Sequence, residues 1–435
     1  MSRGSQDGLA WEETLFDLVP RWTREPSIEA IERTCRQKLN IGSEDTCAVS
    51  MFASGAFNKL FMVTYADQSA LMRVSLPVYP HIKTRSEAAT LRWVRENTKV
   101  PVPQVLAFED SNDNEIGFEW ILMDLIPGSP AHKRWRTMSM KQKEDFTTKM
   151  VEFQADLFRL GRPESTFSGI GTLNFETKEQ DSEGVSTSII PGELVSHSFF
   201  MGDHLHYDVA RGPFLSSYDW LSSELKIIIL EQETVIEKAE DEDDKEDAEE
   251  ILTSARKLLS LLPKIFSPTQ PGAEATVIYH DDLNLWNILV DSQGSITAVV
   301  DWECVSALPI WMATRMPKFL TDSSREEEPK RDEYMDETAS DSAEREKSSD
   351  PNLLDNEGKD DLYWIHRMEW EVTQLRKVYS TKMRELWPDW PLEESNLKVD
   401  FYEAVLQCAA GIFLKQVDKW ADGKESGQSL RLTDV

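Results

Sequence analysis

Two neighbouring runs of sequence carry the strongest signal, Val277-Ile278-Tyr279-His280-Asp281-Asp282-Leu283-Asn284-Leu285-Trp286-Asn287-Ile288-Leu289-Val290 and Val299-Val300-Asp301-Trp302-Glu303. In the first run, apolar and strand-prone residues stand on both sides of a polar loop. The turn signal Asp291-Ser292-Gln293-Gly294 follows, and a further apolar strand then ends at Asp301. The pattern predicts a strand, a polar loop and a short hairpin that brings Asp301 back beside Asn287.

The polar side chains of this loop are the set that phosphoryl transfer requires. Asp282 lies at the loop tip, where its carboxylate can accept the proton of a substrate hydroxyl, and it is the predicted catalytic residue. The amide oxygen of Asn287 and the carboxylate of Asp301 can hold Mg²⁺ against phosphate oxygens. His280 precedes the tip and is predicted to brace the loop by hydrogen bonding.

Two alternatives compete with this interpretation. In the first, the acids belong to a polar hairpin and simply face water, but a His-x-Asp triplet followed by Asn287 and a strand ending in Asp301 is a much rarer pattern than the triplet alone. In the second, His280, Asp282 and the distal His366 form a non-heme iron site. The iron site would leave Asn287 and Asp301 without a role, so the kinase interpretation is favoured.

Charge and composition limit the classes of partner. The chain has 435 residues with 47 basic and 78 acidic side chains, and its net charge is −31. Such an excess of negative charge argues against nucleic acid and anionic membranes as partners, and it is compatible with a cationic substrate. The length allows two domains or one large unit of two lobes.

The cysteines and the apolar segments point to the cytoplasm. Four cysteines are scattered without the Cys-x-x-Cys spacing of a zinc or redox site, so we expect reduced thiols. No stretch has the length and apolar character of a membrane span. Residues 1–22 have neither the charged-then-apolar pattern of a signal peptide nor the composition of a transit peptide.

Upstream of the polar loop, the sequence predicts a small sheet. Segments 47–52, 60–65 and 70–74 have the composition of strands, and the turn Gly55-Ala56-Phe57-Asn58 joins the first two. A strand–turn–strand unit with a flexible glycine can fold over nucleotide phosphates.

A charge in the middle of a predicted strand needs a partner. Arg73 lies among apolar residues of the third strand, and Glu87 lies in the first turn of a helix predicted over 86–97. We therefore predict an ion pair between Arg73 and Glu87. A further strand over 118–125 runs into Ile126-Pro127-Gly128, which is predicted to be the hinge between two lobes.

The remaining segments are mainly helical in pattern. Helices are predicted over 139–160, 215–236, 251–262, 362–387 and 399–420, and residues 1–40 also have helical tendency. The acidic run 237–250 is interpreted as a solvated helix face or connector. Residues 322–361 are poor in apolar side chains and are predicted to be a disordered insertion. The histidines of 203–208 are interpreted as part of a polar loop rather than a metal site.

These residues resemble the aminoglycoside phosphotransferase family, in its fungal branch, whose members share the protein-kinase-like fold. The resemblance spreads over most of residues 45–390. It rests on the two runs quoted first and on a set of shorter motifs, Gly55-Ala56-Phe57-Asn58-Lys59-Leu60-Phe61, Arg73-Val74, Ser86-Glu87-Ala88-Ala89-Thr90, Ile121-Leu122-Met123-Asp124, Pro127-Gly128, Arg211-Gly212-Pro213-Phe214 and Leu362-Tyr363-Trp364.

The resemblance implies an α+β, bilobal fold with a small antiparallel-sheet N-lobe and a larger, mainly helical C-lobe. Residues 1–126 would form an N-terminal extension and the nucleotide-binding lobe, and residues 127–435 the C-lobe with the catalytic loop. Asp282 would be the catalytic aspartate, and Asn287 and Asp301 the magnesium ligands. ATP would be bound by a larger set of residues, Gly55, Phe57, Asn58, Arg73, Glu87, Met123 and Asp124.

The implied activity is an ATP- and Mg²⁺-dependent kinase that transfers the γ-phosphate to a hydroxyl of a small molecule. Two departures from the family pattern stand out. Arg73 occupies the strand position that usually holds lysine, and Asp281 replaces a small residue before Asp282. Arg73 and the acidic segments favour an alternative, a catalytically weak or inactive pseudokinase that binds nucleotide and acts through protein contacts.

Phosphorylation of protein side chains is less favoured, because Trp302-Glu303 replaces the usual Phe-Gly and no activation segment follows it. The sequence leaves the acceptor and the oligomeric state open. We expect substrate contacts in the C-lobe, around residues 130–220 and 360–420.

Overall fold

A computed structural model describes residues 4–14, 18–160, 167–177, 187–348, 353–391 and 395–435. It has two lobes, the smaller built on an antiparallel sheet and the larger mainly helical, which confirms the predicted α+β, protein-kinase-like architecture.

The strands in chain order are β1 (Leu9–Glu13), β2 (Leu18–Trp22), β3 (Cys47–Ser54), β4 (Asn58–Tyr65), β5 (Gln68–Ser75), β6 (Val105–Glu109), β7 (Glu119–Asp124), β8 (Ser129–Pro130), β9 (Phe167–Ser168), β10 (Gly171–Thr177), β11 (Thr187–Pro191), β12 (Ala275–Tyr279), β13 (Ile288–Val290), β14 (Ile296–Val299) and β15 (Ser306–Pro309). The helices are α1 (Ile28–Lys38), α2 (Ile82–Asn97), α3 (Ala131–Trp135), α4 (Met140–Leu157), α5 (His197–Phe200), α6 (Ser217–Lys238), α7 (Glu242–Ile265), α8 (Ala339–Lys347), α9 (Asp361–Leu386), α10 (Ser395–Ala409) and α11 (Leu414–Glu425).

The N-lobe sheet has five antiparallel strands in the order β3-β4-β5-β7-β6. Its strands follow the predicted segments closely. Alternate residues of β4 and β5, among them Phe61, Val63 and Met72, are fully buried in the core of the lobe. This period of two places Arg73 opposite Leu60 and Ile121 in the register, in the middle strand of the sheet.

The helical prediction for residues 1–40 is wrong over part of that range. β1 and β2 form an antiparallel hairpin that pairs Leu9 with Trp22, and helix α1 begins only at Ile28. Two physical signals explain the difference. Leu9 and Trp11, two residues apart, pack against the N-lobe core, and Pro20 lacks the amide donor that a helix interior needs. Residues 15–17 lie outside the described residues.

Two helix boundaries also differ from the predictions. The single helix predicted over 399–420 is two helices, α10 and α11, because Gly411 and Phe413 adopt left-handed backbone conformations with φ of +64° and +55°. Helix α2 begins at Ile82, four residues earlier than predicted. The earlier start places Lys83 in the first turn of α2, inside the lobe, where it becomes part of the site described below.

The C-lobe core is built from long helices. Helix α4, capped by Ser139 as predicted, packs against α9, where buried Lys143 pairs with Glu371 at 2.6 Å. The N-lobe core also receives Val195, Phe200 and Leu205 from the segment after β11. The two lobes therefore share packed side chains in addition to the hinge.

The predicted hairpin after the polar loop is present as β13 and β14, and β8 extends it to a three-stranded sheet. Because β8 follows the hinge, this sheet connects the hinge directly to the catalytic loop. Gly128 has φ +150°, and a Cβ atom there would lie 2.5 Å from Thr297 Oγ1. Only glycine fits this approach without displacing the hairpin.

Segment 322–361 lies along the C-lobe. Its described part contains α8 and an ion pair of 3.0 Å between Arg345 and Glu337, and Arg136 next to α3 donates to Asn356 Oδ1 at 3.0 Å. The predicted disorder of this segment stays a prediction, while its described residues supply one wall of a cavity discussed below.

Candidate active site

The carboxylate of Asp282 lies at the tip of the loop between β12 and β13 and is 38% exposed. Its Oδ2 atom accepts a hydrogen bond of 2.8 Å from the Asn287 side-chain amide, and its Oδ1 atom accepts one of 3.0 Å from Asn284. Lys318, from a 3₁₀ turn distant in sequence, places its Nζ atom 2.9 Å from Oδ1. Asp282 is therefore both positioned and reachable, as a proton acceptor must be.

His280 holds the loop in shape, as predicted. Its ring is buried, and Nδ1 accepts a hydrogen bond of 3.3 Å from the backbone N–H of Asp282. Since Nδ1 is the acceptor, Nε2 carries the proton and donates to the Val300 carbonyl at 3.4 Å. Burial lowers the pKa of His280, against the nearby acids, so the ring is neutral in this role.

Asp301 follows β14 and has φ +64°, a left-handed conformation that is uncommon for a residue with a side chain. The backbone N–H of the preceding residue, Val300, donates to the Asn287 carbonyl at 2.9 Å. Asn287 and Asp301 are thereby tied to one another through the backbone, as the predicted hairpin required. Such strain is concentrated at functional sites in proteins.

Oxygen donors at this place fit a magnesium ion. Asn287 donates its side-chain amide hydrogens to Asp282, and no hydrogen bond to its Oδ1 atom comes from any residue that the structure describes. The Asp301 carboxylate is 37% exposed and is held on one side by Arg73. An amide oxygen and a partly exposed carboxylate are ligands that Mg²⁺ prefers.

Asp301 lies at the edge of an ion cluster whose other members are largely buried. We define it as Arg73, Lys83, Glu87, Asp301 and Glu303. Arg73 lies 3.3 Å from Glu87, which confirms the predicted pair, and also 3.0 Å from both Asp301 and Glu303. Lys83 lies 2.5 Å from Glu303. Three carboxylates therefore face two cations, and this excess of negative charge is what a divalent cation beside Asp301 would offset.

Two opposing effects set the pKa values of the buried carboxyl groups in the cluster. Burial raises them, and the nearby cations lower them. Burial raises the pKa of Glu87 to about 7, although Arg73 and Lys83 oppose the shift. Burial also acts to raise the pKa of Glu303, but Lys83 and Arg73 outweigh it and hold that pKa well below its ordinary value. Glu303 is thus a fixed charge, whereas Glu87 is the more costly of these two acids to ionise.

Sequence reasoning missed two members of this cluster. Lys83 is 1% exposed and was outside the predicted helix, and Glu303 was noted only as a departure from Phe-Gly. The available signal was the pattern itself, because a lysine next to a buried helix face and an acid directly after a buried strand both need partners. Nothing in the local sequence says that the two residues meet.

The turn at Gly55 is tight, and its side chains are used inside the protein. Gly55 N–H donates to the Asn58 carbonyl at 2.9 Å. Phe57 is 7% exposed and packs against Phe200, with 5.5 Å between the ring centroids. Asn58 Nδ2 donates to Glu303 at 2.9 Å, and Asn58 Oδ1 accepts from Lys83 at 3.2 Å. If the turn meets nucleotide phosphates, as predicted, its backbone is the part that is left to do so.

Met123 and Asp124, two of the residues implied to bind ATP, end strand β7. Met123 is 5% exposed and belongs to a small core cluster with Ala88 and Ile121. Asp124 donates its backbone N–H to the Gln104 carbonyl at 3.1 Å and accepts from the Gln104 backbone in return. Both residues therefore lie directly before the hinge, and their contact with a nucleotide stays a prediction.

The other histidines of interest bind protein groups. His204 lies 2.8 Å from the Ser198 carbonyl and 3.0 Å from Glu231. His366 lies 2.7 Å from the Tyr334 hydroxyl, on helix α9, rather than beside His280. Within the described ranges, no cluster of three or more His, Cys, Asp or Glu side chains has the arrangement of a metal site.

The family comparison agrees with this arrangement. The model of the Phosphotransferase enzyme family, abbreviated APH, matches residues 49–312, which is more than half of the chain. The chain belongs to this family. The matched range contains the hinge, the catalytic loop, the whole ion cluster and all of the N-lobe sheet except the first two residues of β3.

Curated relatives of this APH protein come from fungi. A subtelomeric hrmA-associated cluster protein of Aspergillus fumigatus is 24% identical over 320 residues, which are 63% of this chain and 61% of that protein. The clavilactone A biosynthesis cluster protein Y of Ampulloclitocybe clavipes is 24% identical over 343 residues, covering 78% of this chain and 68% of that protein. This chain thus spans about three fifths of the Aspergillus relative's length.

Among solved structures, the aminoglycoside phosphotransferase APH(4)-Ia in complex with ADP and hygromycin B is 14% identical, with a TM-score of 0.42. The alignment covers 92% of this chain and 97% of that one.

Among the described helices of the APH protein, none combines the length and the apolar character that crossing a membrane requires.

Proposed function

We propose that this protein is a kinase that transfers the γ-phosphate of ATP, with Mg²⁺, to a hydroxyl group of a small molecule. The observation that carries the proposal is the environment of Asp282. Its carboxylate is exposed to solvent yet held by Asn287 at 2.8 Å and Asn284 at 3.0 Å, on the loop that leads to Asp301. Membership in a family of phosphotransferase enzymes supports the same reaction class.

The proposed reaction assigns one role to each residue of the loop. Asp282 accepts the hydroxyl proton as the acceptor oxygen forms a bond to the γ-phosphorus, and the bond from that phosphorus to the bridging oxygen breaks to release ADP. Asn287 and Asp301 would hold Mg²⁺, which supplies neutralisation of the phosphate charge. His280 keeps the backbone of Asp282 in place.

Nucleotide binding would use both sides of the cleft. The backbone at Gly55 would approach the phosphates, and the hinge residues Met123 and Asp124 would face the adenine. The Arg73–Glu87 pair would position the phosphate end through the ion cluster. The close turn at Gly55, where 2.9 Å separates the paired backbone atoms, supports the first role.

A titration of ATP in the calorimeter, with and without Mg²⁺, tests the proposal. We expect metal-dependent ATP binding in the wild type and its loss in Asp301→Ala, with phosphate transfer to a hydroxyl acceptor abolished in Asp282→Asn. Failure of the wild type to bind ATP with Mg²⁺ would refute the kinase proposal. Glu385→Ala, which removes an exposed carboxylate on helix α9, is a matched control.

One observation favours a second function, a pseudokinase that binds nucleotide without efficient transfer. The Arg73 guanidinium lies within 3.3 Å of three carboxylates, so it is committed to protein groups. Transfer of radiolabelled phosphate from ATP to any acceptor, lost in Asp282→Asn, would exclude this alternative.

We further propose a cytoplasmic location and a fungal origin for the protein. Free thiols at the four cysteines are consistent with a reducing compartment, and fungal relatives are consistent with the origin. Imaging of a fluorescent fusion with the full chain tests the location, and signal confined to an organelle would contradict it.

A further inference from the structure

A cavity of about 430 Å³ lies beside the catalytic loop. This volume is in the range of sites that hold small organic molecules. Its walls come from three parts of the chain. These are the first helix after the hinge, with His132, Trp135 and Arg136; the catalytic loop, with Asn284 and Trp286; and segment 322–361 with the start of α9, including Arg345.

The cavity reaches the reacting centre through a single side chain. Asn284 lines the cavity, and its Nδ2 atom donates to the Asp282 carboxylate at 3.0 Å. The backbone N–H of His132 donates to the Leu285 carbonyl at 3.0 Å, which fixes helix α3 to the catalytic loop. A molecule in the cavity therefore lies one side chain away from the predicted proton acceptor.

A flat aromatic face is exposed in this cavity. The Trp286 ring is stacked on His132, with 3.3 Å between centroids and 24° between planes, and Trp286 is 47% exposed. A large aromatic ring left half exposed in a concave site is suited to bind a planar ring, because stacking adds to the burial of apolar surface.

Two of the residues that line the cavity contain buried polar atoms without hydrogen-bond partners among the described residues. His132 is 8% exposed, and neither of its buried ring nitrogens has a hydrogen-bond partner among the described residues; the same holds for Trp135 Nε1. Burial lowers the pKa of His132 to about 4, so the ring is neutral at pH 7 and offers one donor and one acceptor. Buried polar atoms are costly without partners.

The charged side chains that line the cavity are two arginines, Arg136 and Arg345, and one aspartate, Asp361. This lining does not favour a ligand with several positive charges. Arg136 donates to the Asp355 carbonyl and to Asn356 Oδ1, both at 3.0 Å, and has no ion pair within the described part of the chain. Arg345 is already balanced by Glu337 at 3.0 Å and Asp361 at 3.6 Å. Arg136 is thus a cavity guanidinium that the carboxylates of Asp361, Glu357 and Asp355 offset only at longer range, and it favours an acidic group on the ligand.

We propose that this cavity is the acceptor site, and that the acceptor is a planar ring compound with a hydroxyl and one acidic substituent rather than a polycationic amino sugar. The assignment of the cavity as an acceptor site rests on the proposed kinase function. In this arrangement the ring stacks on Trp286, the acidic group meets Arg136, and the hydroxyl points along Asn284 toward Asp282.

Calorimetric binding of three probes, 6-hydroxy-2-naphthoate, 2-naphthol and kanamycin, tests the proposal on the full chain. We expect 6-hydroxy-2-naphthoate to bind about tenfold more tightly than 2-naphthol, since a hydrogen bond to a charged group is worth about 1.5 kcal/mol or more. Arg136→Gln should remove that difference, and Trp286→Ala should weaken both ring probes. Phe413 is an exposed aromatic residue between α10 and α11 that does not line the cavity. Phe413→Ala should therefore leave the binding of both ring probes unchanged.

Three results would overturn the proposal. They are tighter binding of kanamycin than of the ring probes, no binding of either ring probe, and an equal loss of ring binding in Phe413→Ala and Trp286→Ala. A fourth would overturn the acceptor assignment, namely ring binding without phosphate transfer in a preparation that binds Mg²⁺ and ATP. ATP titration of the same preparation judges the kinase proposal separately, because absence of ATP binding leaves the ring-binding result intact.

Discussion

The ion cluster and the catalytic loop contain the same types of side chain in opposite surroundings. In the cluster, Lys83 and Glu87 are 1% and 2% exposed, and every charge has an opposite charge within 3.3 Å. In the loop, Asp282 and its partner Lys318 are 38% and 56% exposed. Buried pairs are severely destabilising when one partner is removed, whereas exposed pairs contribute little to stability.

This difference separates two tasks. The cluster joins β5, α2 and the chain after β14, so its charges hold the lobes in register. The tip of the loop presents the Asp282 carboxylate to solvent. Substitutions in the cluster should therefore lower mainly the free energy of unfolding. Substitutions at the loop tip should lower mainly the rate of phosphate transfer.

The largest effect is expected at Asp282. Asp282→Asn removes the proton acceptor while keeping the shape of the side chain, so we expect phosphate transfer to fall about 10³-fold. Because the residue is partly exposed, the melting temperature should change little. Steady-state kinetics and thermal unfolding of the same sample make the comparison, and a large loss of stability would show that the loop is structural as well.

Removal of Arg73 should act in the opposite way. Arg73→Met leaves Glu87 and Glu303 without their shared cation, and we expect a loss of about 3–5 kcal/mol in the free energy of unfolding. Arg73→Lys should recover part of that loss. Denaturant unfolding measures both, with Arg92→Met, in an exposed pair with Glu96, as the control.

Glu119 offers a buried acid of the same lobe with no ion pair among the described residues. Its side chain accepts a hydrogen bond of 2.6 Å from the His81 backbone, and burial raises its pKa to about 7 from 4.5. The folded state therefore binds more protons than the unfolded state between these values, and the contribution of Glu119 to stability falls as the pH rises through this window.

Glu119→Gln should consequently stabilise the protein at pH 8 by about 1–3 kcal/mol and give no gain at pH 4.5. Thermal unfolding across this pH range measures the difference between variant and wild type. The exposed change Glu385→Gln is the control, and a gain of equal size at both pH values would contradict the assignment.

The smallest effect is expected at Lys318. An exposed ion pair contributes about 0–1 kcal/mol, so Lys318→Ala should change the transfer rate by less than about fivefold and leave stability unchanged. Lys377→Ala, from another exposed pair, is the matched control. A rate loss as large as that of Asp282→Asn would mean that Lys318 takes part in the reaction itself.

Local pattern was sufficient for the strands of the five-stranded N-lobe sheet, the catalytic hairpin and the Arg73–Glu87 pair. The strand period of two and the turn at Asp291 act over a few residues, and Arg73 is separated from Glu87 by a short connection only. The local sequence pattern was insufficient for residues 9–22. This segment has helical tendency, yet it forms a hairpin that packs on the N-lobe core. Packing against a distant surface overrides local propensity, because most stability of a short element comes from such contacts.

The amino-acid sequence alone determined which residues we propose for the chemistry, since the types and spacing of Asp282, Asn287 and Asp301 are a property of one continuous run. The tertiary structure decided their surroundings. Asn58 and Glu303 are 245 positions apart and yet bonded, and Arg136 meets Asn356 across 220 positions. The burial and the charge pairing of a side chain depend on which distant segments pack around it. A local sequence pattern does not specify those tertiary contacts.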